Sequence, residues 1–220
     1  MSIRIKMASF CGVAVLSLAF AGHCLAAPTP FTDLQDIKEK EKICALQQKG
    51  YVKGVADGIY APNNAIITAE SIQLIVNALE LNLDAVRFFK EPKATDCCQK
   101  ADNNAWYADA LITAAVNGIE FSSNIDPDQQ CTREEFTYYL IKAMEKQNNL
   151  PMINIVPVDI ADQEQMSAVY SGAVQRALAY GVTQLDESNK FNPKADISRA
   201  EAAEQIYNAL EYIKAVPAQL

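Results

Sequence analysis

The sequence predicts an all-α protein of three helix-loop-helix repeats, on three observations. A proline-bearing loop turns into a helix three times: Phe191-Asn192-Pro193 running to Ile197-Ser198-Arg199-Ala200-Glu201, Ile125-Asp126-Pro127 running to Cys131-Thr132-Arg133-Glu134-Glu135, and an eroded copy, Tyr60-Ala61-Pro62 running to Ile66-Ile67-Thr68-Ala69-Glu70. Ahead of each loop lies an amphipathic stretch that ends in glycine, at Gly50, Gly118 and Gly181. Behind each loop the apolar residues recur with a period of 3.6, the stripe of a buried helix face. Units this small cannot bury their apolar faces alone, so the repeat implies one shared core.

Half of the 220 residues are hydrophobic, enough for a sizeable interior. At the N-terminus, Arg4 and Lys6 precede an uncharged run from Met7 to about Phe20, and the small-residue stretch Cys24-Leu25-Ala26-Ala27 stands before Pro28. That is the layout of a secretory signal over residues 1–26, cut after Ala26 or Ala27. The competing reading is an uncleaved anchor, for which the apolar run is short. Cleavage moves the formal balance from 19 basic against 27 acidic residues to 17 against 27, a net charge of −10. Such a chain repels phosphate backbones and anionic membrane surfaces, so neither is an expected partner, and once the signal is cut no membrane span is expected.

The only histidine, His23, leaves with the signal. Ser-His-Asp and Cys-His nucleophilic systems and His-bearing zinc sites leave with it. Cys44, Cys97, Cys98 and Cys131 remain in a chain bound for an oxidising compartment. Superposing the repeats puts Cys97 at the place of Leu34 and Ile160, and Cys131 at that of Ile66 and Ile197, so both read as small apolar core residues. Mostly free thiols are expected, with a Cys44 bridge or a strained Cys97-Cys98 bridge as alternatives.

Each unit opens on an Asp followed by an apolar residue, Asp33-Leu34, Asp96-Cys97 and Asp159-Ile160, at a constant spacing of 63. The first helices are expected over Ile37 to Gly50, Ala105 to Gly118 and Met166 to Gly181. Counted back from the glycine, Ile43, Leu111 and Val174 share one offset and Leu46, Ala114 and Ala177 another, both on one face. The glycine reads as a left-handed C-terminal cap. In the second helices the stripe is Ile75-Val76, Leu140-Ile141 and Ile206-Tyr207, then Ala78-Leu79, Ala143-Met144 and Ala209-Leu210. Asn82 to Thr95 and Asn148 to Val158 read as ordered connectors, which sets the units at 27–86 (the degenerate one), 87–150 and 151–215.

Thr132 with Glu135, and Ser198 with Glu201, have the spacing of a capping box. Ile67 cannot cap, which weakens the start of its helix by on the order of 1 kcal/mol. Arg133 and Arg199 occupy the first helical position, where a cation opposes the helix dipole unless an anion lies nearby. A guanidinium beside free amides suits a carboxylate ligand. The structural alternative is a salt bridge to Glu134, Asp126 or Asp196, and the residues alone leave both open.

The pattern Phe31-Thr32-Asp33-Leu34, Gly50, Gly54, Asp57-Gly58, Tyr60, Pro62, repeated as Trp106, Gly118, Thr132-Arg133-x-Glu135 and as Gly181-Val182, Phe191-x-Pro193, Ser198-Arg199-Ala200-Glu201, resembles the S-layer homology (SLH) family in three successive modules. The resemblance implies a pseudo-threefold bundle with grooves between neighbours. It also implies noncovalent attachment to a cell-wall polysaccharide, commonly one bearing a ketal-linked pyruvate, by a protein secreted to the cell surface. It carries Arg133 and Arg199 over as ligand contacts, beside the capping Thr132 and Ser198; Trp106 reads as a sugar platform or as a core or rim aromatic. Thr68 does not carry over, which leaves the first groove either silent or served by another donor such as Lys53.

Wall attachment of an unidentified protein cargo, or of the chain alone, is the leading function, without cofactor or metal. The alternative is an extracellular protein-protein assembly subunit that uses the same bundle. An enzyme is not expected: it would depend on carboxylates, of which Asp126, Asp128, Glu134 and Glu135 form the densest cluster, and acidic loops at helix starts ordinarily compensate dipoles.

Overall fold

The computed structural model describes residues 29–122, 125–148, 150 and 154–216. The expected signal with His23, the loop residue Asn124, and the connector residues from Pro151 to Ile153 lie outside the described residues. Those described contain seven α-helices and no strand: α1 (Lys40–Gln48), α2 (Thr68–Ala78), α3 (Ala94–Cys97), α4 (Ala108–Val116), α5 (Arg133–Asn148), α6 (Ala168–Ala179) and α7 (Arg199–Ala215). The pairs α1/α2, α4/α5 and α6/α7 are helix-loop-helix units, and α3 is a single turn ahead of the second.

Local chemistry sets the helix ends. At α7 the Ser198 hydroxyl accepts from the Glu201 amide at 3.2 Å, and the Glu201 carboxylate accepts from the Ser198 amide at 2.9 Å. Thr132 and Glu135 exchange the same two bonds at α5, at 3.4 and 2.9 Å. Ile67 has no acceptor, so α2 keeps only half the box, from the Ile67 amide to Glu70 at 3.1 Å. The helix still begins at Thr68. Beyond α1, α4 and α6 the chain turns at Gly50, Gly118 and Gly181 with φ of 77°, 90° and 68°, the left-handed conformation that a Cβ disfavours.

The three loops meet in a closed ring of backbone hydrogen bonds. Ile66 N–H donates to the Ile197 carbonyl at 3.1 Å, Ile197 N–H to Cys131 at 2.9 Å, and Cys131 N–H to Ile66 at 2.9 Å. Around it, the first two amides of each second helix donate to another unit's loop: Thr68 and Ala69 to Gln129 and Pro127, Arg133 and Glu134 to Ala195 and Pro193, Arg199 and Ala200 to Asn64 and Pro62. These are donors that a helix cannot satisfy internally.

Packing follows the same exchange. Unit 1's α1 lies on α7, α4 on α2, and α6 on α5, so each first helix covers the second helix of another unit. Lys42–Glu204 at 2.7 Å and Arg176–Glu145 at 2.5 Å tie two of these pairs. Ile43, Leu111 and Val174 are completely buried, as are Ile75, Leu140 and Ile206 from the other stripe. One core runs through all three units, and a small satellite of Ile160, Val174 and Phe191 sits under the third loop.

Two expectations of register are corrected. Asp33 accepts from the amides of Tyr60 and Ala61 at 3.0 and 2.7 Å, and its counterpart is Asp162, not Asp159, accepting from Phe191 and Asn192 at 2.8 Å each. Asp159 is exposed three residues earlier. The constant spacing of 63 misled because loop length varies between units, whereas the carboxylate must reach the amides ahead of the proline. Likewise Cys98, not Cys97, is the buried thiol of the second unit, and Cys131 is buried as well. All four thiols are free. Burial pushes Cys97 up to about 11 and Cys131 up to about 12, so neither is a thiolate nucleophile at neutral pH.

Asp162 is 2% exposed and holds two amides. Asp162→Ala is expected to cost about 3 kcal/mol in urea unfolding, the scale of buried hydrogen bonds to a charge, while Asp159→Ala stays within about 0.5 kcal/mol, as exposed substitutions do. The reverse order would restore the register read from the sequence.

Candidate functional site: the grooves between units

The first residue of each second helix reaches onto another unit's loop, so the three equivalent positions, Arg199, Arg133 and Thr68, define three grooves. Their chemistry differs. Arg199 donates from Nε to the Tyr60 carbonyl at 2.7 Å and from Nη2 to the Lys53 carbonyl at 2.7 Å. Its guanidinium stacks on the Tyr60 ring, 4.7 Å from the centroid, and the Tyr60 hydroxyl donates back to the Arg199 carbonyl at 3.0 Å. Burial pushes the Tyr60 phenol up to about 12, with the Arg199 charge pulling the other way. Among the described residues Arg199 has no ion pair.

Arg133 sits over the Phe191 ring at 5.3 Å, but its Nη1 is bound to Glu201 at 2.6 Å. Nη2 reaches the Gln184 carbonyl only at 3.5 Å, and Nε is buried without a partner. The ion-pair alternative therefore holds for Arg133, but with Glu201 of the third unit and not with Glu134, Asp126 or Asp196. Thr68 is buried, and its hydroxyl donates to the Gln129 carbonyl at 3.3 Å.

The free helix-start amides expected beside the arginines do not exist: those at the first two positions of α5 and α7 donate to carbonyls of the third and first units' loops. Thr132 and Ser198 are engaged as caps, with Glu135 and Glu201 as their partners. Positive charge in a groove thus comes from the guanidinium itself.

The Arg199 groove encloses about 530 Å³. Its floor and one wall are the loop from Gly50 to Val55 with Tyr60, the other wall is Glu70, Gln73, Leu74 and Asn77 of α2, and Trp106 stands at the mouth. The indole is 60% exposed and meets Tyr107 edge-on at 5.5 Å, a rim aromatic. Gln73 and Asn77 share a hydrogen bond of 2.9 Å along the groove wall. Gly54 is required here, since a Cβ would stand 2.5 Å from the Ile59 carbonyl and 2.9 Å from the Phe31 ring. Gln73 and Asn77 escaped sequence reasoning, although their spacing of four on one helix face was visible. A smaller groove of about 120 Å³ beside Thr68 is lined by Asp126, Glu135, Tyr139 and Tyr170, without a basic side chain.

The carboxylate cluster disperses. Glu134, 2% exposed, accepts from Ser167 and Lys194; Asp126 pairs with Lys100 at 3.2 Å; Glu135 serves the cap. Asp126 and Glu135 both line the small groove beside Thr68, each already engaged, by Lys100 and by the Thr132 amide.

Asp33 braces the loop that carries Tyr60. Burial alone would raise its pKa, but the amides of Tyr60 and Ala61 and the charge of Arg199 outweigh it and hold the carboxyl below 3.8. A depressed native pKa adds stability that is complete above the unfolded value and vanishes as pH falls through the native one. The urea midpoint of the wild type is expected to exceed that of Asp33→Asn at neutral pH, with the two converging below about pH 3.8. Parallel curves down to pH 2 would exclude the carboxylate as the brace.

Comparison with known proteins gives the same picture. The S-layer homology domain family matches residues 30–70 and 159–203. Exoglucanase XynX of Acetivibrio thermocellus is 30% identical over 184 residues, covering 82% of this chain and 16% of the relative. Amylopullulanase of Thermoanaerobacterium thermosulfurigenes is 30% identical over 82% of this chain and 9% of its own length. The surface-layer 125 kDa protein of Lysinibacillus sphaericus is 29% identical over 81% and 14%. The chain therefore spans less than a fifth of each of these relatives. Two matched segments, both with the proline loop leading into a helix start, and an all-α bundle closed through those loops lead to one conclusion: residues 30–70 and 159–203 of this chain are S-layer homology segments.

Proposed function

We propose that this chain is a non-catalytic cell-wall anchoring protein that attaches noncovalently to an anionic wall polysaccharide through the groove of Arg199. The observation that carries the proposal is an arginine without an ion pair at a groove of about 530 Å³. A guanidinium edge held by two carbonyls is preorganised and keeps its charge for an incoming anion. A ketal-linked pyruvate carboxylate is one anion that would fit. The S-layer homology match at two segments supports the anchoring role and a secreted, wall-associated location, and a surface-layer protein among the relatives supports it further. The relatives named as enzymes are matched over 16% or less of their length, which supports a region separable from their chemistry. The modules proposed are 27–86, 87–150 and 151–215 behind a signal at 1–26. Among the described residues no helix is long and apolar enough to cross a membrane.

An assembly role is the second reading, and it draws on the exposed Val86, Phe88 and Phe89 of the connector before α3.

Cosedimentation with purified sacculi separates the two. The wild type is expected to pellet with sacculi that retain their polysaccharide and to stay soluble with stripped ones, while Arg199→Ala, folded by circular dichroism, loses most pelleting. Equal pelleting with both kinds of sacculi, or with neither, overturns the proposal and turns attention to the Phe88-Phe89 surface.

A further inference from the structure

We infer that the chain associates with a second copy of itself through two unlike surfaces, the connector before α3 on one copy meeting the connector before α6 on the other. The two segments follow the equivalent second helices α2 and α5, so they occupy equivalent places on the bundle. Both expose apolar side chains. In the first, Phe89 is fully exposed, with Val86 and Phe88 exposed beside it; in the second, Val156 is 79% exposed and Val158 is exposed near it. Single exposed apolar residues are ordinary, but three within four positions, two of them aromatic, form the kind of cluster that marks an interface. Each segment is tied to the bundle. Asn117 Nδ2 donates to the Asn82 carbonyl at 3.0 Å and the Lys93 amide donates to Asp96 at 2.9 Å, fixing both ends of the first. Gln175 accepts from the Val158 amide and donates to its carbonyl, at 2.9 Å each, fixing the second against α6. Apolar surface already held in place costs less entropy to bury than a free segment does.

Charge selects the pairing. Residues 83–93 hold Arg87, Lys90 and Lys93 against Asp84 and Glu91, leaving 14 of the 17 basic and 25 of the 27 acidic residues of the mature chain elsewhere. Residues 154–164 hold Asp159, Asp162 and Glu164 and no basic residue. Asp162 is buried on its two amides, so Asp159 and Glu164 supply the exposed charge. Among the described residues none of the three cations, nor Asp159 or Glu164, has an ion pair. Either surface facing itself sets like charges together, and only the cross pairing joins opposite signs. The net negative charge of two copies is screened beyond about 8 Å at physiological ionic strength, so the local pairing decides the contact. A local excess of one cation is weak for an anionic lipid surface, where attraction scales with the number of basic residues, whereas an acidic apolar counterpart is present on the same chain. Because the two surfaces differ, the contact is heterologous: each copy that joins leaves one surface of each kind free, and the assembly grows beyond a pair unless a ring closes. The contact needs no wall ligand, so it and wall attachment fail separately.

Sedimentation velocity of the mature protein from micromolar to millimolar concentration tests the contact. The wild type is expected to gain mass with concentration. Phe88→Ser with Phe89→Ser is expected to weaken association about tenfold or more, the scale of lost aromatic anchors. Charge reversal separates the cross pairing from any other. Lys90→Glu with Lys93→Glu, and in a second variant Asp159→Lys with Glu164→Lys, are each expected to lose association about tenfold or more alone. An equimolar mixture of the two is expected to associate as the wild type does, because every reversed surface again meets its opposite. All six positions are exposed, so circular dichroism is expected to show each variant folded. A wild type that stays monomeric throughout, a charge-reversed variant that associates alone as the wild type does, or a mixture that stays monomeric overturns the inference. A monomeric wild type that instead pellets with phosphatidylglycerol vesicles overturns it in favour of a lipid surface for Phe88 and Phe89.

Discussion

The ring of backbone hydrogen bonds among Ile66, Cys131 and Ile197 is the constraint on which the rest of the bundle depends. Three loops from distant parts of the chain can satisfy one another's amides and carbonyls only if all three are present and in register. None of the three residues is exposed to water, so an open ring would leave buried polar groups unpaired, at about 1–3 kcal/mol each. Completing the ring places each second helix with its first amides against another unit's loop, and the helix pairing across units follows from that placement. Packing and hydrogen bonding therefore select the same cyclic arrangement.

That closure has a chemical consequence. A helix start is ordinarily a source of free amides for an anion, but here the first two amides of each second helix are engaged by carbonyls before any ligand arrives. The positive charge left at each helix start is that of the side chain at the first helical position, and the loop decides its state. Against Tyr60 and Lys53 the guanidinium finds two carbonyls at 2.7 Å and keeps its charge. Against Phe191 and Gln184 it reaches one carbonyl, at 3.5 Å, its Nε has no partner, and Glu201 takes the guanidinium instead. One repeated motif thus yields a charged groove in one place and an internal ion pair in another.

Much of this was legible in the sequence. Ser198-Glu201 and Thr132-Glu135 predicted their own helix starts, because a capping box is a local arrangement of four residues. The stripes headed by Ile43 and Ile75 predicted buried faces, because periodicity reports directly on which side meets the core. Asp159 and Cys97 were misplaced for one reason: superposing units by constant spacing assumes equal loops, and the units differ in loop length. The free amides were misjudged because their acceptors, Pro193 and Pro62 among them, lie in other units.

The sequence by itself determined the all-α fold class, the starts of α5 and α7 at their capping boxes and the glycine turns after α1, α4 and α6, since each is read from periodicity or from neighbours within a turn or two. Only the tertiary structure decided what each helix-start arginine meets. Arg133 and Arg199 stand in the same motif, yet one is neutralised by a carboxylate 68 positions away and the other is held by carbonyls 139 and 146 positions away. The charge available in a groove is a property of what closes over it, and closure is a long-range event that no local pattern encodes.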